Sequence, residues 1–173
     1  GKCPGESCPD LDLKKVFDVI SEKFPEFPEM IATAYKEQSS EESTKPRKLG
    51  FGSTIFAVKP GDGSAREQAA SCQKVLGGWA NIANEYATKR YRSNLINWGM
   101  LPFLIQDGEL PFQNLDYLFV PGIKAAVENK AEVIKAYVVK ENGLVEFDLK
   151  LGELTDEERQ IILKGCLINY NRV

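Results

Sequence analysis

The chain has 173 residues, a net charge of −3, 43% hydrophobic and 27% charged residues. This length and balance suit one soluble globular domain with an ordinary core, so we expect a single domain over residues 1–173. The acidic balance provides no general attraction to nucleic acid or to an anionic membrane. The chain has no histidine, which excludes a Ser-His-Asp triad, a Cys-His dyad and zinc sites with histidine ligands.

The four cysteines, at positions 3, 8, 72 and 166, form no Cys-x-x-Cys pair. Their irregular spacing and the lack of a signal peptide favour a reducing compartment, and we expect a cytoplasmic protein. The sequence leaves open whether Cys3 and Cys8 form a disulfide. Cys72 and Cys166 fall in predicted helices and are expected to be buried. No apolar run approaches the ~18 residues of a membrane span, and we expect no metal on this chain.

The N-terminal region, residues 1–48, is predicted to contain a loop, two helices and a linker. The loop covers residues 1–10, and Asp10 is a candidate cap for a helix that ends near Lys23. A second short helix is predicted over Pro28–Glu37. The segment Ser39–Lys48 has no apolar residue and is predicted to be a surface linker.

Residues 49–105 alternate between strand and helix patterns, which favours an α/β unit. The predicted elements are a strand over Ile55–Val58, a helix over Ala65–Leu76, a strand over Trp79–Ala83, a helix ending at Gly99 and a strand over Leu101–Ile105. Trp79 and Trp98 are expected in the core.

Residues 106–173 are predicted to contain a hairpin between two helices. The predicted elements are a strand over Leu115–Val120, a helix over Pro121–Asn129, a hairpin of Glu132–Lys140 with Leu144–Leu151 around Asn142-Gly143, and a helix from the Thr155–Glu158 capping box to about Gly165.

The candidate site is the segment Lys59–Glu67, in which a strand leads into a glycine-rich turn that opens a helix. The first amides of a helix lack internal partners and carry partial positive charge, so such a turn suits an anion. Gly61 and Gly63 would let a ligand approach the backbone, and Arg66 could bind a carboxylate through two bonds.

Ser64 has two interpretations. The spacing Ser64-x-x-Glu67 is a capping box, in which the serine only caps the helix. Alternatively, the helix N-terminus and Arg66 stabilise a serine alkoxide that acts as a base without histidine. An unaided serine is a very poor base, so the second interpretation requires an unusually positive site.

A basic cluster with an interleaved aromatic residue follows, formed by Lys89, Arg90, Tyr91 and Arg92. It could contact phosphate or RNA, but such clusters are more often a solvated helix face with the aromatic ring in the core.

Three segments together resemble the aconitase superfamily. Residues 61–70 (GDGSAREQAA) are similar to its Gly-x-Gly-Ser-Ser-Arg-Glu-His-Ala motif. Residues 76–78 (LGG) and 94–102 (NLINWGMLP) are similar to its Leu-Gly-Gly and Asn-Leu-x-x-x-Gly-Leu-Leu-Pro motifs, in the same order and at the same spacing. The resemblance implies the C-terminal swivel domain, a β/β/α fold with a mixed sheet and flanking helices.

The resemblance also implies a hydro-lyase, in which a [4Fe-4S] cluster on other domains binds the substrate and this domain closes over it. By position, Ser64 would be the catalytic base, and Gly63, Ser64, Ala65 and Arg66 would bind substrate. The chain itself would bind no cluster and would be inactive without the cluster-bearing domains.

Three departures bear on the substrate: Ala65 replaces the second serine of the motif, Gln68 replaces its histidine, and residues 86–91 (YATKRY) replace Ser-Phe-Ala-Arg-Ile-His. We therefore expect a di- or tricarboxylic hydroxy acid without specifying citrate. The first residue is Gly1 and not Met, which favours a piece of a single-chain hydratase. A free-standing small subunit of an isopropylmalate dehydratase-like enzyme is the alternative, and a carboxylate- or RNA-binding module is the non-enzymic one.

Overall fold

A computed structural model describes residues 13–39 and 49–172 of the chain. The predicted loop over residues 1–10, the cap at Asp10 and the linker over residues 40–48 lie outside these described residues. The described chain falls into two compact units: unit 1 contains residues up to 50, 109–120 and 136–147, and unit 2 contains residues 51–108, 121–135 and 148 onward. The single domain over residues 1–173 stays a prediction.

Helices and strands alternate through most of the chain, so the predicted α/β class is confirmed. The helices are α1 (Leu13–Lys23), α2 (Phe27–Ser39), α3 (Arg66–Val75), α4 (Lys89–Asn97), α5 (Ile123–Glu128), α6 (Asp156–Leu163) and α7 (Leu167–Tyr170). The strands are β1 (Ser53–Ala57), β2 (Gly78–Ala83), β3 (Leu101–Leu104), β4 (Tyr117–Phe119), β5 (Ile134–Lys140) and β6 (Gly143–Leu149).

Unit 1 is organised around an aromatic cluster beside the sheet β4-β5-β6. Helix α1 presents Val16 and Ile20 at helical spacing to this cluster, and both are buried. Phe27 joins them, and its ring packs edge-on against Phe119 with the ring centroids 5.2 Å apart. Pro25 separates α1 from α2, because the residue before a proline disfavours helical geometry.

Unit 2 contains the sheet β1-β2-β3, in which both pairs of strands are parallel. Parallel neighbours require a crossover, which α3 supplies between β1 and β2 and α4 supplies between β2 and β3. The helices pack through a buried cluster of Ala70 on α3 with Tyr91 and Leu95 on α4. The strand–helix alternation that the sequence predicts over residues 49–105 is therefore confirmed.

Three expectations about the core are wrong. Cys166 is only half-buried, because it lies directly before α7 and not within a helix. Cys72 is exposed, because it lies on the side of α3 away from the buried Ala70. Trp79 is 41% exposed near the start of β2, and its indole lies so close to Gly52 that a Cβ atom there would be 2.0 Å from the ring. The helix α7 was also absent from the predicted elements, because four residues carry too little periodicity to be recognised.

Candidate functional site

The candidate site lies where the parallel strands of unit 2 end. The loop of residues 58–65 follows β1, and the loop of residues 84–88 follows β2. Because the strands are parallel, both loops leave the same edge of the sheet. In open α/β sheets, ligands bind beyond this carboxyl edge. The Lys59–Glu67 segment therefore occupies the position in the fold at which an anion site is expected.

Three hydrogen bonds to loop carbonyls join the two loops, together with an exposed ion pair between Lys59 and Glu85 at 2.8 Å. The amide of Glu85 donates to the carbonyl of Val58 at 3.1 Å, and the amide of Ala87 donates to the carbonyl of Pro60 at 2.9 Å. The hydroxyl of Thr88 donates to the carbonyl of Gly61 at 3.0 Å. These bonds extend the pairing of β1 with β2 past the ends of the strands, so the loop before α3 is held along its first half.

The two glycines of this loop have different roles. Gly61 has a φ of +99°, and a Cβ atom on it would lie 2.5 Å from the Cβ atom of Tyr91. Both the backbone conformation and the close approach therefore require glycine. Gly63 has open space where its Cβ atom would be, with no described atom within 4 Å. The predicted close approach of a ligand is sterically possible at Gly63, whereas Gly61 is occupied by packing against Tyr91.

Ser64 does not cap α3. The helix begins at Arg66, and the N-cap residue is Ala65, whose ψ of 54° lies outside the extended region that capping residues prefer. No side chain caps this N-terminus. The capping interpretation of Ser64 is therefore wrong, and its exposed side chain lies immediately before an uncapped helix end. That end supplies partial positive charge, which lowers the free energy of an anion nearby.

Arg66 differs from two other arginines of unit 2 in its bonding. The guanidinium of Arg92 donates to the carbonyls of Leu151 and Glu153 at 2.9 and 2.7 Å. That of Arg159 donates to the carbonyl of Val127 at 3.1 Å. Arg66 makes no hydrogen bond or ion pair within the described ranges, and its Nε atom is buried without an acceptor. A half-buried guanidinium with unused donors suits a carboxylate.

Beneath the loop, polar side chains surround Tyr91 and form what we call the polar floor. The hydroxyl of Tyr91 accepts hydrogen bonds from the side-chain amides of Gln73 and Asn81, at 3.0 Å each. Tyr86 lies beside Tyr91, and its hydroxyl donates to the carbonyl of Phe103 at 3.0 Å. Burial, with a smaller effect of Tyr91, raises the pKa of Tyr86 well above its usual range. Tyr86 therefore stays protonated and is not a candidate base.

Sequence reasoning missed the roles of Gln73 and Asn81 in this floor and of Thr88 in holding the loop. The available signal was weak: a Thr directly before a helix predicts a cap, but not a bond to a loop 27 residues earlier. A buried Asn in a central strand is recognisable only once the strand is known to be central.

Two members of the basic cluster have structural roles. The ring of Tyr91 is 2% exposed and packs in the core of unit 2, so it is not available for stacking on a base. Arg92 is bound to backbone carbonyls. Lys89 and Arg90 are exposed. The cluster therefore matches the interpretation as a helix face with a core aromatic residue better than that of an RNA contact.

The described residues hold no group of three or more acidic or cysteine side chains that would suit a metal ion. The described residues therefore do not fit an iron–sulfur cluster, and Cys72 and Cys166 are free thiols. Cys3 and Cys8 lie outside the described residues. Within the described part of the chain, no helix is long and apolar enough to cross a membrane.

A cleft of about 280 Å³ lies between α5 and α6, and the Ser64 loop does not line it. Within the cleft, Lys130 pairs with Asp156 at 2.6 Å and Arg159 donates to the carbonyl of Val127, although the buried Nε atom of Arg159 has no acceptor. We place the candidate site at the Ser64 loop instead, because Arg66 makes no hydrogen bond or ion pair with any described residue and begins an uncapped helix.

Residues 30–108 match the family described as the aconitase C-terminal domain. The chain is 30% identical over 127 residues to aconitate hydratase A of Rickettsia bellii, an alignment that covers 70% of this chain and 14% of that protein. It is 31% identical over 131 residues to aconitate hydratase A of Corynebacterium efficiens, which covers 72% of this chain and 14% of that protein.

A relative much shorter than these two hydratases has a similar sequence identity to the chain. The chain is 32% identical over 126 residues to the methanogen homoaconitase small subunit of Methanocaldococcus jannaschii, covering 72% of this chain and 65% of that subunit. The chain therefore spans less than two thirds of each of these relatives, and only a seventh of the two hydratases.

Proposed function

Since the chain belongs to the aconitase superfamily, we propose that it supplies the proton-transferring and carboxylate-binding half of a hydro-lyase active site. The observation that carries the proposal is the uncapped N-terminus of α3. The exposed Ser64 precedes its N-cap residue Ala65, and the first helical residue, Arg66, has no hydrogen-bond or ion-pair partner among the described residues. The substrate class is a di- or tricarboxylic hydroxy acid.

In the dehydration direction, Ser64 in its alkoxide form takes the proton from the carbon next to a substrate carboxylate. The electron pair of that C–H bond becomes the C=C double bond, and the C–O bond on the neighbouring carbon breaks. The departing hydroxide takes a proton from solvent and leaves as water, while Ser64 ends as the neutral hydroxyl and returns its proton to solvent before the next turnover. Arg66 holds the carboxylate, and the N-terminus of α3 favours the anionic forms of both serine and substrate. Hydration is the reverse.

The backbone at Gly63 and Ala65 lines the approach to Ser64. Gly63 leaves open space beside the loop, and Ala65 presents only a methyl group where a serine would add a hydroxyl. We propose that both residues contact substrate, and that the contact at Ala65 is apolar.

The remaining groups belong to partner domains. We propose that a [4Fe-4S] cluster held there supplies the Lewis acid for the departing hydroxyl, and that this chain is inactive without those domains. The partner is either part of the same polypeptide, by analogy with the aconitate hydratases, or a separate large subunit, by analogy with the homoaconitase small subunit.

The test is steady-state kinetics of the chain assembled with its cluster-bearing partner, with citrate and shorter hydroxy diacids as substrates. Ser64→Ala should lower kcat roughly 10²–10⁴-fold with little change in KM, because the serine acts in the proton transfer. Arg66→Ala should lower kcat and also raise KM, because the arginine holds the bound carboxylate. The hydroxyl of Ser71 on α3 bonds, among the described residues, only to a carbonyl of its own helix, so Ser71→Ala is the matched control. Parental turnover in Ser64→Ala would remove the serine from the mechanism.

A further inference from the structure

Side chains join the loops after β1 and β2 at two places. The exposed Lys59 and Glu85 form an ion pair at 2.8 Å, five residues before Ser64, and of the three hydrogen bonds to loop carbonyls only the one from Thr88 comes from a side chain. The bonds at Val58 and Pro60 are made by backbone amides, and any residue at positions 85 and 87 other than proline could donate them. The carbonyl of Gly61 is the last attachment before Ser64, and a threonine hydroxyl makes it. The residue type at position 88 therefore decides whether this attachment exists.

The hydroxyl of Thr88 makes two bonds of opposite sense. It donates its single proton to the carbonyl of Gly61 at 3.0 Å, and it accepts from the amide of Tyr91 at 3.2 Å. The second bond is the N-cap of α4, and Thr88 has the extended backbone that such a cap requires. One side chain thus fixes the start of α4 and the loop before α3 relative to each other.

The floor under Gly61 is also rigid. Tyr91 leaves no room for a side chain on Gly61, and its hydroxyl accepts hydrogen bonds from the side-chain amides of Gln73 and Asn81. Asn81 is 2% exposed on the central strand β2. Gly61 is therefore confined by Tyr91 on one side and by the bond from Thr88 on its carbonyl, and only two residues separate it from Ser64.

We propose that Thr88 is a positioning residue for Ser64: its hydroxyl, bonded to Gly61, holds the loop in the conformation that leaves Ser64 exposed before the uncapped end of α3. This inference rests on the proposed function for its catalytic consequence, but the attachment itself is independent of any reaction. Without the bond, the loop is free to let Ser64 move towards the capping position that its sequence favours.

The first experiment measures amide hydrogen exchange in the full chain with four variants. Thr88→Ser keeps both bonds, and Thr88→Val loses both. Thr88→Asp keeps an acceptor for the amide of Tyr91 but has no proton for Gly61 when ionised. Ser71→Ala is the control. We expect the amide of Ala87 to exchange faster in the Val and Asp variants and at the parental rate in the other two. Parental protection in Thr88→Asp would overturn the proposal.

The second experiment follows turnover in the assembled enzyme. We expect kcat to fall roughly 10–100-fold in Thr88→Val, because a misplacement of about 1 Å can cost 10²-fold, and to be restored in Thr88→Ser. A Thr88→Val variant with faster exchange but parental kcat would overturn the positioning role. If Ser64→Ala itself has parental turnover, the proposed function fails, while the exchange experiment still decides whether Thr88 holds the loop.

Discussion

Helices α3 and α6 are both preceded by a hydroxyl residue three positions before a glutamate, yet only α6 is capped by that residue. At α6, the hydroxyl of Thr155 accepts from the amide of Glu158 at 3.1 Å, and the carboxylate of Glu158 accepts from the amide of Thr155 at 2.8 Å. At α3, the same pattern at Ser64 and Glu67 makes no such bond, and the helix begins one residue later than the pattern predicts.

The difference comes from what precedes each helix. Thr155 has extended backbone angles, and its capping box forms from local residues alone. The loop before α3 is attached to residues 85–88 and passes Tyr91 at Gly61, so its course is decided by contacts distant in sequence. A local motif therefore forms only where tertiary contacts leave the backbone free to adopt it. At α3 the consequence is an uncapped helix end with an exposed serine.

The largest expected effect on stability is at Gly61, because a Cβ atom there would clash with Tyr91, whereas one on Gly63 would meet no described atom within 4 Å. Gly61→Ala should lower the free energy of unfolding by about 3 kcal/mol, because it adds a strained positive φ and a clash with Tyr91. Gly63→Ala should change it by less than about 0.5 kcal/mol, since nothing occupies the space around its Cβ. Denaturant unfolding of both variants measures the difference, and equal losses would contradict the two roles assigned to these glycines.

An intermediate effect is expected from removing the hydroxyl at each helix start. Thr155→Ala should lower the free energy of unfolding by about 1 kcal/mol, because the amide of Glu158 loses its cap. Ser64→Ala should cost less than about 0.5 kcal/mol, because no cap is lost. Thr155→Ser retains the hydroxyl and serves as the control. A loss for Ser64→Ala as large as that for Thr155→Ala would show that the serine caps α3 in solution.

The smallest effect concerns the charge at the start of α6. The hydrogen bond from Lys130, together with its charge, holds the pKa of Asp156 below the ordinary value of 3.8. Folding therefore favours the ionised carboxylate, and this stabilisation is present above pH 3.8 and lost as the pH falls below it. Asp156→Asn should lower Tm slightly at neutral pH and not in stronger acid.

The matched control for Asp156 is Glu157→Gln, which removes a charge from the same helical turn without removing an ion pair. A Tm difference between Asp156→Asn and the parent that grows as the pH falls below 3.8 would contradict the assigned direction of the pKa shift.

Several elements were predictable because their signals are local. The alternation of apolar runs and glycine-rich turns over residues 49–105 predicted three strands and two helices in the order observed. The Asn142-Gly143 pair predicted the turn between β5 and β6, where Gly143 has a φ of +131°. Element ends differed by a few residues, as at β1, which is predicted over Ile55–Val58 and observed over Ser53–Ala57. Strand ends depend on pairing with β2, which the sequence of β1 does not contain.

The sequence by itself determined the order of helices and strands, the capping box of α6 and the family motifs at residues 61–70, 76–78 and 94–102, because these depend on neighbours along the chain. Only the tertiary structure decided that Ser64 is not a cap and that Thr88 bonds to Gly61. It also decided that Arg66 has no partner in the described part of the chain, whereas Arg92 binds backbone carbonyls. These properties arise where parallel strands bring distant loops to one edge of a sheet, and spacing along the chain does not encode that proximity.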